Sequence, residues 1–329
     1  MTSPERLASV SLDLDDLWSY LKTHGDETWS SRPSYLDRFV PRVLESMERL
    51  SIKSTFFIVG VDAERHAGDG VLRALAQAGH TIGNHSHEHE PWLHLYSDRE
   101  IETEISTAEA AITAATGQRP RGFRGPGFSW SPALLEVLEH RGYRYDASTL
   151  PTFLGPLARA YYFWTARLTR EERDRRRALF GTARDGFRPN APYSWRLSGN
   201  RSLLEIPVTT IPVIRTPFHL SYLLFLSRWS EGLMTLYLRT AIRACRVANV
   251  EPSFLLHPLD LLGGDEVPQL AFFPGMDISS ARKTQLFEKA IGVLREHFTL
   301  VDLDTHAASI IERGNLRTIT PVLSAQCAA

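Results

Sequence analysis

Short strand-like runs alternate with amphipathic helical runs over the first half of the chain, and this alternation limits the fold more than any other feature of the sequence. The strand-like runs cover residues 9–13, 54–60, 81–83 and 122–124. The helical patterns, with apolar residues every three or four positions, cover residues 35–50, 71–78, 98–116 and 131–141. Strands that alternate with helices are typical of parallel βα units, so we predict an α/β protein.

Composition narrows the possible functions. The 329 residues carry a formal net charge of −1, whereas nucleic-acid binding requires a basic face, so we expect no nucleic-acid partner. There are two cysteines, Cys245 and Cys327, too few for a disulfide framework or a cysteine-based zinc site. We find no apolar signal region and no run near the roughly 20 apolar residues of a membrane span. The expected location is therefore cytoplasmic.

Three histidines follow the strand-like run at 81–83. In a helix, His85 and His89 would lie on one face, close enough to bind the same ion, whereas His87 would point elsewhere. Asp15, after the first strand, offers a carboxylate. Two histidines and one carboxylate leave a coordination position open for water, which is typical of a catalytic metal site. The alternative interpretation is a solvated polar loop.

Five short motifs follow one another along the chain. They are the acidic run at 13–16, the histidine run at 85–89, the glycine-rich run at 122–129, the run Tyr145-Asp146-Ala147-Ser148, and the run Leu255-Leu256-His257-Pro258. In this order and spacing, over residues 8–150 and 203–305, the chain resembles the polysaccharide deacetylase family, the NodB-homology group of carbohydrate esterases (family 4). Its first motif, Asp13-Leu14-Asp15, is similar to the Asp-x-Asp form of an intracellular subgroup.

The resemblance implies a distorted (β/α)7-type barrel with a helix-rich insertion between the fourth and fifth motifs. We predict a single catalytic domain over residues 1–315, with the insertion at 151–200 and an apolar helical region at 217–249. A loosely ordered tail is predicted over 316–329.

The family resemblance also implies roles for individual residues. One divalent metal is expected, zinc first, with cobalt, nickel or iron as alternatives, bound by Asp15, His85 and His89. If the chain leaves the strand at residue 14, Asp16 replaces Asp15. The predicted catalytic residues are Asp13 as base, Arg124 as its partner, His257 as acid and Asp146 as the residue that orients His257. Substrate contacts are predicted for Gly127, Phe128 and Trp92; many family members have tyrosine where this chain has Gly127.

The family implies hydrolysis of N-acetyl groups on amino sugars. A cytoplasmic enzyme needs an intracellular glycan substrate, such as a soluble amino sugar or a lipid-linked sugar at the inner membrane face. The aromatic stretches at 154–164 and 218–229 are interpreted as core or a homo-oligomer interface, or as a peripheral membrane contact. Alternative functions are deformylation of a lipid-linked aminosugar, hydrolysis of a purine-derived cyclic amide, and glycan binding without catalysis.

Overall fold

The computed structural model describes residues 6–155 and 183–322. The strands are β1 Leu7–Leu14, β2 Thr55–Ile58, β3 Thr81–Asn84, β4 Gly122–Phe123, β5 Tyr145–Asp146, β6 Tyr193–Arg196, β7 Ser202–Glu205, β8 Ser253–Leu256, β9 Thr299–Val301 and β10 Thr318–Ile319. The helices are α1 Leu17–His24, α2 Leu36–Arg49, α3 Gly60–Arg65, α4 Val71–Gln77, α5 Asp98–Thr116, α6 Pro132–His140, α7 Leu220–Ser227, α8 Glu231–Val247, α9 Ser280–Arg295 and α10 Leu303–Arg313.

The strands form one sheet in the order β10-β6-β7-β5-β4-β3-β2-β1-β8, and β9 also pairs with β1. Every pair is parallel except β6 with β7. This arrangement confirms the predicted α/β class and barrel-type layout. Across residues 6–155 and 183–322 the outer strands β8 and β10 do not pair, so the sheet is not closed.

Strand β1 has paired neighbours on both sides in the sheet. It pairs with β2 on one side and with β8 and β9 on the other, and all of its residues after Leu7 are buried. Parallel strands covered on both faces are nearly continuous in apolar character, as β2 and β8 are here. The carboxyl ends of β1, β3, β4 and β8 therefore bring the predicted motifs to the same edge.

The helices cover this sheet with their apolar stripes. In α2 the residues Leu36, Phe39, Val40, Val43 and Met47 are buried, as their spacing predicts. Helix α5 begins at a capping box formed by Ser97 and Glu100, which satisfies two backbone N–H groups at the helix start. Helix α5 packs beside β3, which places its Glu104 next to the loop that follows this strand.

The predicted insertion and tail are only partly described. Residues 156–182, with most of the aromatic run at 154–164, lie outside the described residues. The apolar region at 217–249 forms two helices, α7 and α8. In the predicted tail, Thr318 and Ile319 form β10 and pair with β6, while 323–329 lie outside the described residues. In the described part of the chain, no helix combines the length and apolar character needed to cross a membrane.

Candidate metal centre and active site

The histidine run after β3 is an irregular loop, so the helix considered for His85 and His89 is wrong. Ser86 has φ 64° and His89 has φ 53°, left-handed values that end any helix. The Asn84 side-chain oxygen accepts the Ser86 N–H at 2.8 Å. The Glu104 carboxylate, on α5, accepts the N–H groups of two successive loop residues, at 2.9 and 2.7 Å. These bonds turn the loop so that the His85 and His89 rings face each other, with centroids 5.0 Å apart.

Asp15 completes the three-residue cluster that the sequence predicts. Its Oδ1 lies 2.9 Å from Nε2 of His89 and 3.4 Å from Nε2 of His85. The three potential ligand atoms lie within 4.8 Å of one another. His87 is not part of this cluster; its ring lies 3.9 Å from Glu64.

The cluster fits a divalent cation. Asp15 Oδ1 is buried and has no hydrogen-bond partner among the described residues, so it is available to bind a metal. Nδ1 of His85 is 2.6 Å from the carbonyl oxygen of Arg124, which places the proton on Nδ1 and leaves the Nε2 lone pair for a metal. Burial raises the pKa of the Asp15 carboxyl, but the facing His89 and His85 hold it well below its usual range. Two imidazoles and an ionised carboxylate form a donor set typical of catalytic zinc.

A buried ion pair lies beside the cluster, as predicted. Nη1 of Arg124 donates to Asp13 at 2.7 Å, and the side chains are 0% and 6% exposed. The same guanidinium also donates to the Ser11 hydroxyl at 2.9 Å and to the Ala147 carbonyl at 3.0 Å, and it lies over the Phe57 ring. Arg124 is thus held by several elements and in turn fixes the Asp13 carboxylate.

Asp16, the alternative metal ligand, has a structural role. Its carboxylate caps α1 by accepting the Leu17 N–H at 2.7 Å, and it accepts the Tyr35 N–H at 3.0 Å. The chain thus remains extended through Asp15 and turns into the helix one residue later. The Tyr35 hydroxyl donates to the Asp15 carbonyl at 2.5 Å and fixes the backbone at that turn.

His257 follows β8, the neighbour of β1 in the sheet. Its Nδ1 lies 3.8 Å from Asp260 Oδ2, and that oxygen also accepts the His257 N–H at 2.8 Å. Burial lowers the pKa of His257, but the facing Asp260 and the charges of Asp13 and Asp15 raise it to about 9. At neutral pH this imidazole therefore carries a proton that it can donate.

The predicted pairing of Asp146 with His257 is wrong. Asp146 ends β5, four strands from β1 in the sheet order, whereas His257 follows β8 on the other side of β1. Asp146 instead accepts from the Ser148 hydroxyl at 2.5 Å, and the same hydroxyl accepts the Gly125 N–H at 2.8 Å. Burial raises the pKa of Asp146 to about 6. Asp146 thus supports the loop after Arg124, and Asp260 is the carboxylate next to His257.

The three residues predicted to contact the substrate lie in two different parts of the structure. Gly127 and Phe128 form a tight turn, Pro126–Phe128, with left-handed φ values of 58° and 61°, and both line one cavity. Gly125 must be glycine, because a Cβ there would lie 1.9 Å from the Ser129 carbonyl oxygen. Trp92 is half-buried before the turn Leu93–Leu95 and is not among the residues that line this cavity.

Several supporting residues had no motif to reveal them. Besides Asn84, Glu104 and Asp260, the buried Lys283 donates to the carbonyl oxygens of Leu259 and Leu262 at 2.6 and 2.7 Å. These bonds hold the turn that carries Asp260. Only Glu104 and Lys283 gave a signal in the sequence, and it was weak: each is a single polar residue within an otherwise apolar helical stripe.

Replacing Glu104 by alanine should weaken metal binding by about 10–100-fold, the usual effect of losing a group that orients a metal ligand. The physical reason is the loss of the acceptor that holds the loop between His85 and His89. Competition with a zinc chelator measures this affinity. Glu102→Ala, an exposed position on the same helix, is the matched control. Equal zinc affinities in both variants would contradict the role of Glu104.

Comparison with known proteins agrees with this site. Residues 9–145 match the family model described as polysaccharide deacetylase, and they contain Asp13, Asp15, His85, His89 and Arg124. This segment of the chain is similar to the polysaccharide deacetylase family. Metal dependence is typical of this carbohydrate esterase family, which agrees with the cluster.

Curated relatives match part of the chain. The peptidoglycan-N-acetylglucosamine deacetylase of Bacillus cereus is 31% identical over 88 residues, 27% of this chain and 31% of the relative. The peptidoglycan deacetylase of Helicobacter pylori is 25% identical over 153 residues, 44% of this chain and 50% of the relative. The chain thus spans about a third to a half of the length of these relatives.

Two solved structures share the fold over nearly the whole chain. A Mycobacterium smegmatis protein classed among the polysaccharide deacetylases superposes with a TM-score of 0.62 at 17% identity, covering 98% of both chains. PuuE allantoinase superposes with a TM-score of 0.57 at 17% identity, covering 94% of this chain and 91% of its own. At these identities the likeness establishes the fold alone.

Proposed function

We propose that this protein is a metal-dependent hydrolase that removes an N-acetyl group from an amino sugar. One observation carries the proposal: the cluster of Asp15, His85 and His89 lies beside the buried pair of Asp13 and Arg124. The curated relatives, whose names describe deacetylation of peptidoglycan, support an amino-sugar amide as substrate.

In the proposed reaction, water adds to the amide carbonyl carbon, the C–N bond breaks, and acetate and a free amine leave. A divalent metal held by Asp15, His85 and His89, zinc first among the candidates, would supply a water whose pKa is lowered towards about 7. Asp13 accepts a proton from the attacking water, and Arg124 holds the Asp13 carboxylate in position.

Two further groups complete the proposed reaction. His257 donates the proton that the departing nitrogen needs, and Asp260 holds the imidazole in its protonated form. The backbone N–H of Gly127 is proposed to stabilise the negative charge that develops on the carbonyl oxygen. The cluster, the base and the acid come from β1 and from strands paired to it directly or through β2, which fixes their spacing.

The proposed acid gives a pH dependence. His257 donates a proton only while it is charged, so kcat should fall as the pH rises through about 9, the raised pKa of this imidazole. Asp260→Asn removes the carboxylate that raises this pKa, so the decline should begin at lower pH. Asp277→Asn, at an exposed ion pair, is the control. An unchanged alkaline limb in Asp260→Asn would contradict the pairing of Asp260 with His257.

A substrate panel tests the proposed function. Purified metal-loaded protein is incubated with N-acetylglucosamine, N-acetylated chitooligosaccharides, N-formyl analogues and a purine-derived cyclic amide, and free amine and ring opening are measured. Chelator-sensitive amine release from an N-acetyl sugar is the expected result. Preferential release from the formyl analogues would identify a deformylase. Ring opening of the cyclic amide without amine release would overturn the deacetylase proposal.

We further propose that the substrate is lipid-linked and that the protein acts at the cytoplasmic face of a membrane. Supporting this, α7, α8 and the turn between them expose large apolar side chains, Phe225, Trp229, Leu233 and Leu236, which are 52%, 78%, 44% and 63% exposed. Arg228, Arg239 and Arg243 are exposed on the same two-helix unit. Aromatic and aliphatic side chains next to arginines are typical of a surface that binds anionic lipid.

Flotation with vesicles containing phosphatidylglycerol tests the membrane contact. The double variant Phe225→Ser, Trp229→Ser should lose most of its vesicle-bound fraction. Ile311→Ser, which removes an exposed apolar side chain from α10, should bind like the unmodified protein. If the double variant partitions normally, or if the unmodified protein does not bind vesicles, the membrane proposal is wrong while the deacetylase proposal stands.

A further inference from the structure

A cavity of about 270 Å³ opens at the same edge of the sheet as the metal cluster. This space is many times the roughly 10–15 Å³ that holds a single water molecule, and it exceeds what the methyl group of an acetyl substituent needs. Its wall includes Gly127 and Phe128 from the loop after β4, Ser148 from the segment after β5, and His219 and Tyr222 near the start of α7.

Two contacts connect this cavity to the proposed reaction centre. The loop that forms its wall continues from Arg124, whose carbonyl oxygen bonds His85 and whose guanidinium bonds Asp13. His219, elsewhere in the wall, has its ring centroid 6.1 Å from that of His257. An amide placed between the base and the acid would therefore have this cavity beside it.

The described residues of the cavity wall offer a substrate few free hydrogen-bonding groups. Its large side chains are Phe128, Trp130, Leu150, Leu154 and Tyr222. Its Ser and Thr hydroxyls are already donated within the protein: Ser148 to Asp146, Thr149 to Glu205 and Thr152 to the Arg215 carbonyl. A buried sugar ring would bring several hydroxyls that need partners, whereas a hydrocarbon group brings none.

The charged groups of the wall are neutralised. Arg188 donates to Asp185 at 3.0 Å, and its guanidinium stacks on Trp130 at 4.2 Å from the ring centroid. His219 is 6% exposed, and its Nδ1 is buried without a partner. Burial and the nearby His257 lower the pKa of His219 to about 3, so it is neutral at physiological pH. Among the lining residues that the structure describes, none therefore carries an unpaired charge that would attract an anionic group.

We infer that this cavity binds an uncharged, apolar substituent of the amide substrate that is larger than the methyl of an acetyl group. The inference rests on the proposed function, because it assumes an amide between Asp13 and His257. Two parts of a substrate could supply such a substituent: the acyl group that is removed, or an apolar group attached to the sugar.

Two ligand series distinguish these sources. One is glucosamine with an N-acetyl, N-butanoyl or N-hexanoyl group, and the other is N-acetylglucosamine with a methyl, butyl or hexyl glycoside. Calorimetric titration of the full chain, with and without chelator, measures binding apart from turnover. In one series the binding affinity should increase by about fourfold for each methylene that is buried, until the cavity is full. The series that tightens identifies which group the cavity accepts.

Two variants test whether the cavity is responsible for the increase of affinity with chain length. Leu150→Trp fills the cavity, so in this variant the binding affinity should no longer increase with the length of the apolar chain. Ile311→Trp adds a tryptophan at an exposed site, and there the increase should remain. If the affinity of the unmodified protein does not change with chain length in either series, the inference is wrong, whether or not Leu150→Trp folds. An unchanged dependence in a folded Leu150→Trp would also overturn it. Tightening without any hydrolysis would instead contradict the proposed function and leave the cavity assignment standing.

Discussion

Asp13→Asn is expected to lower kcat/KM by about 10²–10⁴-fold, the usual contribution of a general base. The asparagine keeps the shape of the side chain but cannot accept the proton of the attacking water. Because Asp13 is not one of the three clustered ligands, the variant should retain its metal. Amine release and metal content, measured on the same sample, test both parts of this prediction.

The control for Asp13→Asn must separate catalysis from stability. Removing the carboxylate leaves the fully buried Arg124 with an uncompensated charge, which typically costs about 3–5 kcal/mol of stability. Rates are therefore compared at temperatures where both proteins are folded. Ser11→Ala removes another partner of the same guanidinium without touching the carboxylate, and should retain most activity. Near-normal turnover in folded Asp13→Asn would remove Asp13 from the role of base.

His85→Ala should abolish stoichiometric metal binding. His85 supplies one of the three clustered ligand atoms, so its loss should exceed the roughly 10–100-fold weakening seen when a group that merely orients a ligand is removed. Metal content after gel filtration, measured by mass spectrometry, tests this directly.

His87→Ala is the matched control, since it removes the same type of side chain from the same loop. Its ring faces Glu64 and is not in the cluster, so metal content should match that of the unmodified protein. Full occupancy in His85→Ala, or equal losses in the two variants, would contradict the assignment of ligands.

The sequence was sufficient to predict that the metal cluster and the pair of Asp13 and Arg124 lie together, because parallel strands end at a common edge of the sheet. Asp13 lies at the end of β1, Asp15 directly follows β1, and Arg124 follows β4, so their convergence on the histidine loop required only the correct strands. The period of two along β1 also places Asp13 and Asp15 on the same side.

The conformation of the histidine loop could not be predicted from its own residues. A spacing of four suggests a helix, but the left-handed residues Ser86 and His89 depend on Asn84 and Glu104. Glu104 lies on a helix that is separate in sequence, and nothing local indicates that its carboxylate reaches the loop.

The partner of His257 was missed for a related reason. Asp146 belongs to a recognisable motif, whereas Asp260 is a single acidic residue in the turn after β8. The strand order decides between them, and it places Asp146 far from β8. Order within a sheet depends on long-range packing, which short motifs do not encode.

The most direct test of the metal-dependent mechanism combines metal stoichiometry with reversible chelation. The purified protein is expected to bind one divalent ion per chain, to lose amine-releasing activity on N-acetyl sugars when chelated, and to regain it in proportion to zinc added back. Full activity in the chelated, metal-free protein, or no metal binding by the folded chain, would contradict this account.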